Sequence, residues 1–79
     1  MEYEFDYVYT PNPFIEFHVS NNQPILICLS KIVAITKITP NSDEGKAYLK
    51  SGANTLIYVI DDEIPIVESY DKVKELIGA

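Results

Sequence analysis

The chain has 79 residues, enough for one domain around a single core. Twelve aspartates and glutamates oppose six lysines, with no arginine, and the net charge of −6 argues against partners such as nucleic acid or an anionic membrane. One cysteine and one histidine exclude an internal disulfide and a Cys/His zinc site within the chain, so we predict no metal and no cofactor.

The balance of residue types predicts a folded, soluble protein. Hydrophobic residues make up 47% of the chain and charged residues 23%, which is unlike a disordered sequence. No stretch approaches the roughly 20 apolar residues of a membrane span. The acidic, alternating N-terminus is the reverse of a signal peptide, and a single cysteine fits a reducing compartment, so we predict a cytoplasmic location.

The first predicted strand covers residues 2–9 and has two distinct faces. Period-two alternation places aromatic residues on one face and mainly acidic residues on the other. The prolines in residues 10–13 then end the strand, because proline cannot donate to a β-ladder. The aromatic face consists of Tyr3, Phe5, Tyr7 and Tyr9, and the opposite face of Glu2, Glu4, Asp6 and Val8.

Further short segments that alternate or are rich in β-branched residues predict more strands. The polar residues 20–24 form a turn that pairs the two strands beside it as a hairpin. We expect a kink or a single turn at Ser30, a polar loop over 40–45 and an acidic bend over 61–63. The predicted strands are residues 14–19, 25–29 (a buried strand), 32–39, 47–50 and 55–60, and residues 65–67 form a last extended piece.

A single helix is predicted at the C-terminal end. Ser69 is a suitable N-cap, Asp71 suits the first turn, and Gly78 suits the end of a helix. The whole chain, residues 1–79, is therefore predicted to be one mainly β (α+β) domain. Its five to six short strands form a twisted antiparallel sheet or half-barrel, with the C-terminal helix docked across it.

Residues 14–77 follow a recognisable pattern of hydrophobic spacing with one Glu-Ser pair. The residues that carry it are Ile25, Ile27, Ile32, Ile35, Val67, Glu68, Ser69, Val73 and Ile77. In this pattern the chain resembles the short bacterial flagellar FlbD-like family of small proteins. The resemblance implies a small β-rich fold with a C-terminal helix and no known catalysis.

The candidate catalytic and metal-binding residues are better explained by structural roles than by chemistry. His18 and Cys28 fall on neighbouring predicted strands, but Cys28 lies in an apolar run typical of a core position and His18 in an alternating strand typical of a surface position. Residues 61–63 lack the spacing of a calcium loop, and Glu68 directly precedes the predicted helix cap. We therefore predict that the chain is not an enzyme.

The aromatic strand is the strongest indication of function. Its four aromatic residues, Tyr3, Phe5, Tyr7 and Tyr9, either pack under the C-terminal helix or remain exposed as a contact surface. The exposed alternative predicts a non-catalytic protein-interaction module, acting as a homo-oligomer or as a small adaptor or modulator. The partner would be a second copy or another protein.

Two other functions remain open. An acidic inhibitor of the phage or mobile-element type would block a basic, nucleic-acid-binding protein, and its binding would depend strongly on salt. A β-rich nucleic-acid-binding regulator would need a basic patch, for which the candidates are Lys31, Lys37, Lys46 and Lys50.

Overall fold

A computed structural model describes residues 14–78 of the chain. This part is an α+β fold of five antiparallel strands and two helices, and the strands form two open sheets rather than one. In chain order the elements are β1 (Phe14–Val19), β2 (Gln23–Cys28), β3 (Ile32–Lys37), α1 (Asp43–Lys50), β4 (Thr55–Val59), β5 (Asp62–Ile66) and α2 (Tyr70–Ile77).

The first sheet is the predicted hairpin of β1 and β2, which is confirmed. Phe17 lies opposite Ile25 in the antiparallel register, and a short 3-10 turn over Ser20–Asn22 joins the strands. Asn21 and Asn22 both have positive φ angles, of 68° and 58°. Asparagine tolerates this left-handed region better than most residues, which explains why this turn sequence can close the hairpin.

The second sheet has the strand order β3-β4-β5. The predicted kink at Ser30 is a 3-10 turn over Leu29–Lys31, and a register shift follows at Val33 in β3. Val59 pairs with Asp62, so a two-residue turn of Ile60 and Asp61 connects β4 to β5. The acidic bend is thus shorter than predicted, because β5 already begins at Asp62.

Helix α1 replaces the predicted strand over 47–50, which was wrong. It also takes up the second half of the predicted loop over 40–45, of which residues 40–42 remain a turn. Ser42 caps the helix by accepting a hydrogen bond from the Gly45 N–H at 3.0 Å. Asp43 and Glu44 lie in its first turn and Lys50 in its last, as the helix dipole favours. A β-carbon at position 45 would collide with the Thr39 carbonyl oxygen, so this close approach requires glycine.

Helix α2 confirms the prediction for the C-terminal end. Ser69 accepts a hydrogen bond from the Lys72 N–H at 3.1 Å, and Gly78 ends the helix in the left-handed conformation with φ 82°. Val73, on the inner face of α2, is fully buried. Neither helix in residues 14–78 is long and apolar enough to cross a membrane.

One core joins both sheets and α2. It is centred on Phe17, Ile27, Ile57, Ile66 and Val73, which come from β1, β2, β4, β5 and α2. The prediction that 25–29 is a buried strand is only partly right. Ile27 is buried, whereas the neighbouring Leu26 points away from the core and is 61% exposed.

Candidate interaction surface

An open, mainly apolar groove of about 420 Å³ lies between β2 and the β4–β5 turn. One wall comes from the end of β2, and the other from the end of β4, the turn and the middle of β5. Lys31 and Asp61 are the charged residues on its lining, and aliphatic side chains form most of the remainder. Residues that define it include Leu26, Cys28, Lys31, Ile60, Asp61 and Ile64.

Two exposed aliphatic side chains flank the groove. Leu26 is exposed because strand alternation directs Ile25 and Ile27 inward and Leu26 outward. Ile60 is 75% exposed at the tip of a two-residue turn, a position where polar residues and glycine are usual. Neither side chain supports the core, so both are available for contact with another molecule.

The beginning of β1 lies at the same end of the hairpin as this groove. Phe14 is the register partner of Cys28, and Cys28 lines the groove. Phe14 is itself 61% exposed. The chain preceding residue 14 therefore joins the described fold next to the groove.

Cys28 is half-buried in the groove wall, so the prediction of a core position is wrong. Its Sγ lies 3.2 Å from the Ser30 Oγ. This side-chain hydrogen bond and a second one to the Ser30 backbone lower the pKa of the Cys28 thiol, with a smaller contribution from the charge of Lys31. Strand alternation accounts for the error, because Cys28 shares the outward orientation of Leu26.

The structure separates His18 from Cys28. His18 pairs with Pro24, whereas Cys28 pairs with Phe14 at the other end of the hairpin. The His18 Nδ1 lies 2.6 Å from one carboxylate oxygen of Glu68, and the His18 backbone N–H donates to the other at 2.9 Å. The imidazole is therefore engaged with Glu68, away from the thiol.

Glu68 holds β1 against the segment that joins β5 to α2. Burial raises the pKa of its carboxyl group, but the hydrogen bonds from His18 outweigh that effect, and the pKa lies below its usual value. The Thr55 hydroxyl donates to the Glu68 carbonyl at 2.7 Å, and the Val67 N–H donates to the His18 carbonyl at 2.7 Å. These contacts give His18 and Glu68 a structural role.

The acidic residues near the turn do not converge on a metal ion. Among residues 14–78, no three or more side chains of the metal-binding types are grouped around a common point. Glu63 instead accepts a hydrogen bond from the Tyr48 hydroxyl at 3.2 Å. Partial burial and this contact raise the pKa of Tyr48.

The candidate basic residues lie on different elements. Lys31 belongs to the turn before β3, Lys37 ends β3, and Lys46 and Lys50 lie one helical turn apart on α1. Lys31 is the one that borders the groove. Leu26 and Ile60 were not predicted as contact residues from the sequence, although an isoleucine directly before Asp61 in a predicted turn was a usable signal.

The predicted interaction residues Tyr3, Phe5, Tyr7 and Tyr9 lie outside the described residues, so their role stays a prediction. No protein-family model, curated protein or solved structure matches the chain. The resemblance to the FlbD-like family therefore also stays a prediction.

Proposed function

We propose that the chain is a non-catalytic protein-interaction module that binds an apolar segment of a second copy or of another protein in the groove. The observation that carries this proposal is the exposed aliphatic pair on the groove rim, Leu26 and Ile60. Burial of apolar surface is the main favourable contribution to protein association, at roughly 25 cal/mol per Å².

The groove chemistry favours a protein segment over other ligands. Phosphate groups of nucleic acid require several cations, and Lys31 is the one cation among the described lining residues. Small-molecule sites enclose their ligand and direct several polar groups at it, whereas this groove is open and mostly aliphatic. An apolar peptide segment needs neither a cluster of cations nor an enclosed polar site, so it fits this groove better.

The surroundings of Ile60 favour a partner with mixed chemistry. Asp61 and Asp62 follow Ile60 directly and are both exposed. In a partner segment with a basic residue next to an apolar one, the basic residue would pair with Asp61 or Asp62 and the apolar residue would bury Ile60. Charge complementarity of this kind contributes mostly to specificity and association rate.

A non-catalytic role is supported by the positions of the two candidate catalytic residues. A nucleophile and its general base must come within hydrogen-bond reach of one another. Cys28 and His18 lie at opposite ends of the β1–β2 hairpin, and the His18 ring is bound to Glu68.

Solution mass from light scattering tests the proposal for self-association. We expect the native chain to associate with increasing concentration, and Leu26→Ser/Ile60→Ser to remain a folded monomer because its rim is no longer apolar. Val33→Ser is the matched control, since Val33 is 66% exposed on β3 and outside the groove. Association that persists in the rim variant would contradict the use of the groove.

A further inference from the structure

The groove runs along the edge of β2 rather than over one face of the strand. Successive residues of a strand point to opposite faces, yet the consecutive residues 25–28 all line the groove. A groove contacts side chains from both faces of a strand only where it lies beside that strand. Among residues 14–78, β2 pairs with β1 alone, so the edge that borders the groove is the one opposite β1.

This edge of β2 presents main-chain hydrogen-bonding groups to a ligand in the groove. In an antiparallel pair, alternate residues direct their N–H and C=O groups away from the partner strand. Within residues 25–27, the register with β1 therefore leaves at least one residue whose main-chain groups point toward the groove. An extended peptide pairs with such groups by adding a strand to the sheet, and its side chains then fill the space beside the edge.

The mouth of the groove is acidic. Asp61 lines the groove and Asp62 follows it, and both are exposed. Neither carboxylate has an ion-pair partner among residues 14–78. Lys31 is the one cation on the described lining, and the whole chain has a net charge of −6. A ligand that carries basic residues beside apolar ones is therefore favoured over an acidic ligand.

A second copy of the chain does not supply such a segment. Residues 1–30 contain no lysine and the chain contains no arginine. Every lysine lies in a strand, a helix or a turn of the described fold. The strand among these, β3, contains Lys37 but is held in its own sheet, with Ile32 and Ile35 packed against the core. An extended basic segment must therefore come from another protein.

We propose that the groove binds an extended segment of another protein, in which apolar and basic residues alternate, and that this segment adds a strand to the edge of β2. The inference rests on the proposed function, because it names the class of partner for the same groove. Alternation places the apolar side chains against the aliphatic lining and leaves the basic ones for the acidic turn. Two copies that meet through the same rim bring their acidic turns together, so the segment displaces that weaker contact.

Fluorescence anisotropy with a labelled peptide that alternates valine and lysine tests the charge preference on the full chain. In the matched probe, glutamate replaces each lysine. We expect the lysine peptide to bind about tenfold more tightly than the glutamate peptide, and the difference to decrease as salt screens the charges. Equal affinity for the two peptides would overturn the inference.

Substitution of the acidic turn locates the preference. Asp61→Asn/Asp62→Asn should bind the lysine peptide roughly fivefold more weakly, as expected for two exposed ion pairs. Asparagine at position 62 retains a side-chain oxygen that can accept from the Glu63 N–H, as Asp62 does at 2.8 Å. Asp71→Asn/Glu75→Gln is the matched control, because it removes the same charge from exposed positions of α2. An equal loss in both variants would overturn pairing with the turn.

Amide hydrogen exchange tests the added strand. Saturating lysine peptide should slow exchange about tenfold for at least one N–H among residues 25–27, because main-chain carbonyls of the peptide accept from this edge. Residues 33–37 are the control, since β3 is an edge strand of the other sheet and should exchange at an unchanged rate. Unchanged exchange at residues 25–27 would overturn strand addition.

The rim variant Leu26→Ser/Ile60→Ser separates this inference from the proposed function. We expect it to lose the lysine peptide, and we expect the peptide to lower the solution mass of self-associated native chain. Self-association that depends on the rim but that the peptide does not reverse would overturn the inference alone, because a second copy would then be the preferred occupant. Lysine peptide that binds the rim variant as well as the native chain would overturn both proposals.

Discussion

His18 and Glu68 form the contact that most clearly links residues distant in sequence. The Glu68 carboxylate accepts from both the backbone and the ring of His18, and Glu16 lies 3.5 Å from the other ring nitrogen. The Glu68 side chain is only 15% exposed. Thr55, which is fully buried, holds the Glu68 carbonyl from the other side. The junction before α2 is therefore fixed by side chains from two sheets.

This contact predicts a pH dependence of stability. The pKa of Glu68 is lower in the folded chain than its ordinary value, so folding favours the carboxylate. Its contribution is fully present above the ordinary carboxyl pKa and is lost as pH falls through the folded pKa. We expect Glu68→Gln to cost about 1 kcal/mol at neutral pH, less than the roughly 1.5–3 kcal/mol of a charged hydrogen bond, because His18 is partly exposed to solvent.

Urea unfolding of both chains between neutral and acidic pH measures this difference. The gap in unfolding free energy between native chain and Glu68→Gln should shrink as the carboxylate is protonated. Glu75→Gln is the control, because Glu75 is 74% exposed on α2 and should change stability little at any pH. A constant gap for Glu68→Gln across the acidic range would contradict the assigned cause.

At the scale of secondary-structure elements, those that depend on a few neighbouring residues could be predicted from the sequence. Features that depend on packing between distant residues could not. The β1–β2 hairpin and α2 were predictable, because the asparagine-rich turn, the Ser69 cap and Gly78 act over a few residues. The division into two sheets was not predictable, since it depends on contacts such as Val67 with His18, far apart in the chain.

Helix α1 was not predicted because Gly45, in its first turn, has a low helix propensity. Ser42, Asp43 and Glu44 are a good helix start, but Gly45 follows, and glycine costs about 1 kcal/mol in a helix relative to alanine. The reason for glycine becomes visible only when α1 lies beside the Thr39 carbonyl. The orientation of Leu26 and Cys28 toward the groove was also not predicted, because the sequence of β2 is apolar on both faces of the strand.

Gly45→Ala should therefore destabilise the chain despite its higher helix propensity. The added methyl group overlaps the Thr39 carbonyl oxygen, and relief requires movement of backbone. We expect a loss of about 1–3 kcal/mol in urea unfolding, as for other overpacked sites. Lys46→Ala, at the next and exposed position of α1, should change stability by less than about 0.5 kcal/mol. Equal stability of Gly45→Ala and the native chain would show that α1 can move away from Thr39.

For the whole molecule, the residues that stabilise the fold are different from the residues that are exposed on the groove rim. The buried cluster of Phe17, Ile27, Ile57, Ile66 and Val73 holds both sheets and α2 together. The groove rim contributes two exposed aliphatic side chains, Leu26 and Ile60, that this core does not need. Substitutions on the rim should therefore change association more than folding.

Photo-crosslinking in the cells that naturally make the chain tests the central claim, that the groove binds protein, most directly. A photoreactive residue replaces Ile60 on the rim or, as the control, Val33, which is similarly exposed on β3. We predict a discrete protein adduct at position 60, with a second copy or another protein, and a much weaker one at position 33. Equal crosslinking at both positions, or no protein adduct at position 60, would contradict the groove as an interaction surface.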